Sequence, residues 1–314
     1  MKALALILGT ALIPTFDIET NLAAPQAIPK VSLEVPSLYL EGEPFIAKVT
    51  VLASSLEPLD LPAWAFTGEA FTIGKKQMGT RRVTEKVRLR PGQMFSTSLD
   101  LSPLIVEMEL DPRTMEIGWN GLPDVPMVRV TWLEAAEKGI KFIDLPEEQL
   151  TDYQVALQTN RGLIWLELWP DVAPNHVRNF LDLVYTGFYD GTQFHRVIPG
   201  FMIQGGKARE GEVAPRKLDS EFNTKRHARG VLSMARLGHD VNSASSEFFI
   251  MHAENAKLDG QYTAFGTMLQ GEEALDAIAV TADSRFSPNT PQGFTPTTPQ
   301  IIQRAVVIKA SKRR

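Results

Sequence analysis

The sequence predicts a mainly β protein in two parts: a small antiparallel β-sandwich, then a larger closed β-barrel with helices covering its open ends. Three observations predict it. Residues 30–135 alternate apolar and polar side chains in short runs separated by Pro and Gly, with no stripe at helical spacing. In residues 152–310 the alternation sharpens and the runs multiply. That second half holds two segments whose apolar residues fall on one helical face. Many strands closed off by a pair of helices make a barrel.

At the N-terminus, Met1-Lys2 precedes an apolar run over 3–13 that Pro14 breaks. The run is too short for a membrane-crossing helix, which needs roughly 20 residues. A positive charge before a short apolar stretch fits a secretory signal, with Leu22-Ala23-Ala24 or Pro25-Gln26-Ala27 as imperfect cleavage sites. Residues 1–29 are therefore read as a signal peptide and spacer, rather than a buried first strand or helix. The mature chain is expected in the periplasm or outside the cell.

Within 30–135, Val31, Leu33 and Val35 alternate with polar neighbours, as do Phe45, Ala47, Val49 and Val51. Further runs fall at 83–89, 95–101 and 128–132, with turn signals at Glu41-Gly42, Arg90-Pro91-Gly92 and Asn120-Gly121. The pattern suggests an immunoglobulin-like sandwich. It carries no catalytic constellation, and its sequence specifies no function; docking of a protein partner is one reading of it. Residues 136–151, charged and containing Pro146-Glu147-Glu148, read as a linker.

The runs at 153–159 and 163–168 flank Asn160-Arg161-Gly162, a hairpin signal. Pro174 opens a helix that places Val177, Phe180, Leu181 and Val184 on one face, and Gly187 closes it. A second short helix is expected at 272–279. Strands are expected near 194–198, 201–204, 231–235, 248–251, 264–268 and 301–308. Residues 311–314 form a basic, solvated tail.

Composition narrows the function. An apolar share of 44% and a charged share of 22% exclude a chain disordered throughout. With 32 basic against 37 acidic residues the net charge is -5, which argues against a protein built to coat nucleic acid. The absence of cysteine removes disulfides, thiolate metal sites and cysteine nucleophiles. His176, His195, His227, His239 and His252 have no metal-ligand spacing, so neither a metal nor a cofactor is expected. His239-Asp240 near Ser243, Ser245 and Ser246 lacks a nucleophile elbow. Gly200 to Lys207 fails as a phosphate loop, because Ala208 stands where Ser or Thr is required.

The informative stretch is Phe194-His195-Arg196-Val197-Ile198-Pro199-Gly200-Phe201-Met202-Ile203-Gln204-Gly205-Gly206. If Arg196 ends one strand and Phe201, Met202 and Gln204 lie on the next, a guanidinium sits over a pocket of ring and thioether. Phe249 supplies another wall, and Gly205-Gly206 removes side chains where a peptide backbone approaches. Such a kit suits a small apolar residue with one donor aimed at a neighbouring backbone atom. Proline meets that description. An amide is planar by resonance, and rotating it costs about 18–20 kcal/mol. At the twisted transition state the prolyl nitrogen becomes a hydrogen-bond acceptor, which the guanidinium addresses only then.

These residues, together with Asn179-Phe180-Leu181, Gly187-Phe188-Tyr189-Asp190-Gly191, Gly230-Val231-Leu232-Ser233-Met234-Ala235, Phe248-Phe249-Ile250, Leu258-Asp259-Gly260 and Phe265-Gly266, resemble the cyclophilin-type peptidyl-prolyl cis-trans isomerases. The resemblance covers about half of the chain. It implies an eight-stranded antiparallel barrel capped by two helices, acting without a cofactor on proline-containing polypeptides. It also implies that Arg196 is the catalytic arginine and Gln204 the glutamine that orients it. Phe201, Met202, Phe249 and Leu258 would form the proline pocket, His195 and Ala235 would line the groove, and the Arg236 backbone would bind the substrate main chain.

Three departures stand out. Glu247 replaces the usual Gln before Phe-Phe; if it reaches Arg196 it competes with the substrate nitrogen or fixes the guanidinium. Lys257 occupies the position of a Trp common in cyclosporin-sensitive members, which predicts weak inhibition by that drug. Tyr262 stands where many members carry His, keeping an aromatic wall with a polar tip. Two functions follow: an active isomerase that assists folding, and a catalytically weak peptide-binding module with the N-terminal part as a dock.

Overall fold

The computed structural model describes residues 28–36, 38–40, 43–74, 76–78, 85–106, 114–212, 215–282 and 295–310. The expected basic tail, and the signal segment apart from Ile28 and Pro29, lie outside the described residues. The chain divides into two compact units, residues 1–36 with 42–131 and residues 37–41 with 132–314.

The strands up to the end of the first unit are β1 (Lys30–Glu34), β2 (Leu38–Leu40), β3 (Ile46–Leu52), β4 (Leu59–Pro62) and β5 (Phe71–Ile73), then β6 (Lys76–Gln77), β7 (Lys86–Leu89), β8 (Met94–Asp100), β9 (Thr114–Trp119) and β10 (Val128–Leu133). A one-turn helix, α1 (Ser102–Val106), follows β8. In the first unit, β1-β3-β8 make one antiparallel sheet, β10-β9-β5-β6 line up in another, and β4-β7 form a ribbon. Alternation does the sorting: Ala47, Val49 and Val51 of β3 are buried while their neighbours face outward. Trp119 is buried, and its indole N–H is satisfied by the Ala65 carbonyl at 2.7 Å. Strands β4, β5 and β6 are too short to register in the alternation pattern, whereas β9 alternates Met115, Ile117 and Trp119 with Thr114, Glu116 and Gly118 and is a strand the expected runs omit.

The second unit contains β11 (Tyr153–Thr159), β12 (Gly162–Leu168), β13 (Arg196–Ile198), β14 (Met202–Gly205), β15 (Val231–Met234), β16 (Phe248–Met251), β17 (Ala264–Gln270) and β18 (Ile302–Lys309). They form one eight-stranded antiparallel sheet in the order β13-β14-β16-β15-β17-β12-β11-β18. A bridge between Gln193, just before β13, and Ile301, just before β18, brings the two edges together. Hydrogen bonds Phe194 N–H to Gln300 O and Ile302 N–H to Thr192 O extend that seam. The β11–β12 hairpin turns on Asn160-Arg161, with Gly162 at φ 126°, a backbone state that favours glycine.

The period of two divides each strand between the faces. Val155, Leu157, Ile164, Leu166, Ile203, Leu232, Phe248, Ile250, Phe265 and Val307 enter the interior core. Helices close that core. The short α2 (Glu147–Leu150) buries Leu150, α3 (Pro174–Tyr185) buries Val177, Phe180, Leu181 and Val184, and α4 (Glu272–Ala279) buries Leu275 and Ile278. The first backbone N–H groups of α3 donate to Glu221: Asn175 at 3.0 Å and His176 at 2.9 Å. The His176 ring adds a 2.6 Å contact. Burial raises the Glu221 pKa, but these bonds outweigh it and hold the carboxyl below its ordinary range.

The segment 136–151, expected as a linker, carries Phe142 and Leu150 fully into the interior core of the second unit. Ile140, Phe142, Ile143, Leu145 and Leu150 keep neither a period of two nor a helical stripe, so they do not read as an element. Strand β2 also belongs to this unit. Its Leu38 and Leu40 pack with Leu133 against Ala156, Trp165, Val306 and Ile308 on the outward side of β11, β12 and β18.

Candidate active site

The outward positions of the neighbouring strands build the site. Arg196 and Gln204 face each other across the β13–β14 pair, Gln204 pairs in turn with Phe249 of β16, and Phe249 with Ser233 of β15. Arg196 therefore opens its strand rather than ending it. Between β13 and β14 the chain reverses over Ile198-Pro199-Gly200-Phe201. The Phe201 N–H donates to the Ile198 carbonyl at 2.9 Å, and Gly200 has φ 74°. Pro followed by a positive-φ Gly is the requirement of a type II turn.

A cavity of about 190 Å³ is lined by Arg196, Phe201, Met202, Gln204, Ala235, Arg236, Phe249, Leu258 and Tyr262. Its apolar floor is continuous with Met251, Ala264 and Val231. Tyr262 stands edge-on to Phe249 with ring centroids 5.7 Å apart. The Arg236 guanidinium lies 4.6 Å over the Tyr262 ring and donates to the carbonyls of Gln261, Leu237 and Gly238, so its side chain braces that wall.

The polar edge is a chain of hydrogen bonds. Arg196 Nη1 donates to Gln204 Oε1 at 3.2 Å and lies 4.0 Å from Met202 Sδ. Gln204 Nε2 donates to Glu247 Oε2 at 2.9 Å, and His195 Nε2 stands 3.3 Å from the same oxygen. Glu247 thus holds the far end of the Gln204 amide, which turns Oε1 toward Arg196. No ion pair to Arg196 is found among the described residues, so the guanidinium is neither competed for nor neutralised by Glu247. Burial pulls the Arg196 pKa below its ordinary value. The Glu247 pKa is lowered, chiefly by the bond to His195 against an opposing effect of burial, with Gln204 and Lys207 adding to the lowering.

His195 and Glu247 lie beside the cavity rather than on its wall. The two glycines serve a different purpose from the one read in the sequence. A Cβ on Gly206 would fall 2.5 Å from the Ser246 carbonyl, and one on Gly205 3.1 Å from the Gln193 carbonyl. They make room for the protein's own backbone. Lys257 sits in the short turn Ala256–Leu258. Behind the floor lie residues that sequence reading left without a role. The His227 ring stacks on Phe249 at 6.1 Å and bonds Asp259 and Ser233, both at 3.0 Å. They lie 32 and 6 residues from His227, and no local pattern joins them.

The profile of the family described as cyclophilin type peptidyl-prolyl cis-trans isomerase/CLD matches residues 154–305. Peptidyl-prolyl cis-trans isomerase A of Dickeya dadantii is 41% identical over 168 residues, 51% of this chain and 86% of that protein. The chain belongs to the cyclophilin-type isomerases. The peptidyl-prolyl cis-trans isomerase of Synechococcus elongatus is 44% identical over 127 residues, 40% of this chain and 86% of the relative. A cyclophilin-type isomerase of Cryptosporidium parvum, crystallised in the presence of the dipeptide Ala-Pro, is 31% identical, covers 50% of this chain and 99% of its own, and has a TM-score of 0.45. The protein is a cyclophilin-type peptidyl-prolyl cis-trans isomerase in its second half, and nothing in these similarities supports a catalytically weak binding module. Among the described residues, no helix is long and apolar enough to cross a membrane.

Proposed function

We propose that the notch isomerises X-Pro bonds without a covalent step, with Arg196 as the catalytic residue and Gln204 as its positioning partner. The carrying observation is the half-buried Arg196, bonded to an amide oxygen at 3.2 Å instead of to a carboxylate, at the edge of an apolar cavity. A prolyl ring enters between Phe201, Met202, Phe249 and Leu258. As the amide twists, its nitrogen lone pair localises and Arg196 donates to it. The donor meets the planar ground state poorly and the twisted state well, so the interaction lowers the barrier. No proton is transferred, and His195 and Glu247 act by holding Gln204. The Arg236 backbone and Ala235 guide the substrate main chain along the groove, and Tyr262 closes its side.

The test is a proline-peptide isomerisation assay on the full chain. Arg196→Ala is expected to lower kcat/KM by about 10²–10³-fold with an unchanged circular dichroism spectrum. A variant as fast as the unaltered protein discards the mechanism.

We further propose that the substrates are exported polypeptides, whose uncatalysed X-Pro isomerisation takes tens to hundreds of seconds, and that the first unit docks a protein partner. Lys2 followed by the apolar run 3–13 supports export. Sequencing the mature N-terminus after expression tests it: retention of Met1 in the exported fraction rejects a cleaved signal.

A further inference from the structure

The type II turn that carries Phe201 is held from outside by one imidazole. Gly200 N–H donates to His252 Nδ1 at 2.8 Å. The backbone N–H of His252 donates to the Phe201 carbonyl, also at 2.8 Å. A backbone N–H is always the donor, so Nδ1 must be the unprotonated nitrogen and Nε2 carries the hydrogen. That hydrogen has its own acceptor, Asp276 Oδ1 on α4, at 2.8 Å. Asp276 is tied to Arg229 Nη2 at 2.7 Å, Arg229 also pairs with Glu272, and its Nη1 donates to the His252 carbonyl. The Arg229 bond, with further help from His252, keeps the Asp276 carboxyl below its ordinary range, so it stays anionic as the pH drops. The imidazole is therefore faced by Asp276, Arg229 and Glu272 on the α4 side and by neutral backbone on the turn side. Its side chain retains 19% exposure, enough for exchange with solvent.

We propose that His252 is a positioning residue for the isomerase reaction, holding the Pro199–Gly200 turn, and with it the Phe201 wall, only while its Nδ1 is unprotonated. This rests on the reading of Phe201 as a wall of the proline pocket. A second proton on the ring puts two donors face to face across 2.8 Å, and the turn must then swing away from the ring. Asp276 compensates the added charge without supplying a replacement acceptor for Gly200. Substrate binding weakens once the ring takes its second proton, because the Gly200 N–H then has no acceptor.

The experiment compares the full-length protein with His252→Asn and His252→Phe between pH 5.5 and 8. Asn keeps a carbonyl acceptor near the Nδ1 position and does not titrate, whereas Phe keeps the ring volume and removes the acceptor. From pH 8 to 5.5 the unaltered protein is expected to lose about fivefold more in kcat/KM than His252→Asn, mainly through KM, as for the loss of one hydrogen bond. His252→Phe is expected to show the raised KM at every pH. In parallel, NMR should report an Nε2-protonated ring at pH 8 and a Gly200 amide whose shift moves with the same midpoint as the activity difference. Identical pH profiles for the unaltered protein and His252→Asn, or a Gly200 amide indifferent to pH, overturn the proposal. The amide readout needs no catalysis, so failure of the Arg196 mechanism and failure of this clamp are told apart.

Discussion

The outward face of the barrel carries two apolar patches with opposite fates. On β11, β12 and β18, the patch of Ala156, Trp165, Val306 and Ile308 is covered by the chain's own Leu38, Leu40 and Leu133. On β14, β15, β16 and β17, the patch of Met202, Val231, Phe249, Met251 and Ala264 ends in an open cavity edged by Arg196. Both arise from the same strand alternation, and both place aromatic and branched side chains outside the interior core. One patch has a cover supplied from far away in the chain. The other is covered only in part, by side chains such as Trp169, Leu258 and Tyr262, and the gap left beside Arg196 has room for a foreign apolar ring. Apolar residues on the outer face of a barrel are thus equally compatible with stability and with function.

Four changes break or sharpen this contrast. Filling the open notch by Ala235→Phe should have the largest effect, a fall in kcat/KM of at least about 100-fold with little change in melting temperature. Isomerisation and thermal melts on the same preparation decide it; a bulky side chain tolerated by catalysis moves the site elsewhere. Uncovering the closed patch by Leu40→Ala should do the reverse. It is expected to cost about 2–5 kcal/mol in urea unfolding and to leave kcat/KM within about twofold, since the two patches share no partners. An unaffected urea midpoint means that β2 does not seal the patch.

Glu247→Gln should act more mildly, changing kcat/KM by about threefold or less at neutral pH because a carbonyl oxygen can still accept from Gln204. Its signature is in acid. A carboxyl whose folded pKa is lowered stabilises the protein above its ordinary range, and that contribution disappears as pH falls through the lowered value. The melting-temperature advantage of the unaltered protein over Glu247→Gln should therefore shrink from pH 7 toward pH 3; a gap that widens contradicts the assigned bond. The smallest effect is expected at the surface, where Lys309 bonds Glu137 at 2.7 Å and Glu134 at 2.9 Å and its pKa is raised by them. Lys309→Met should lower the melting temperature slightly, and the difference should vanish in high salt.

Much of the second unit was legible because its determinants are local. The hairpin at Asn160-Arg161, the helix opened by Pro174 and the opposite faces of Phe248 and Phe249 all follow from spacing within a few residues. The residues around the cavity were legible for a related reason: seven of the nine, Arg196, Phe201, Met202, Gln204, Ala235, Phe249 and Leu258, fall inside short motifs of a recognisable order, with Arg236 and Tyr262 just outside them. Less was readable where the partner is distant. The linker reading of 136–151 did not anticipate Phe142 and Leu150 in the core, because two buried positions eight residues apart among charges show no periodicity. Gly206 was read as an opening for substrate, whereas its crowding comes from the Ser246 carbonyl, 40 residues away in the chain.

By itself the sequence determined the alternation of the strands, the two helix faces and a cation set among rings and thioethers, since these depend on side-chain type and short spacing. Only the tertiary structure decided that Glu247 meets Gln204 and His195 instead of Arg196, that β2 seals one outer patch while the other keeps a cavity beside Arg196, and that His252 grips the Gly200 turn. Each of these is a contact between segments whose separation along the chain carries no periodic signal. Its geometry is set when the sheet curls and its two edges meet.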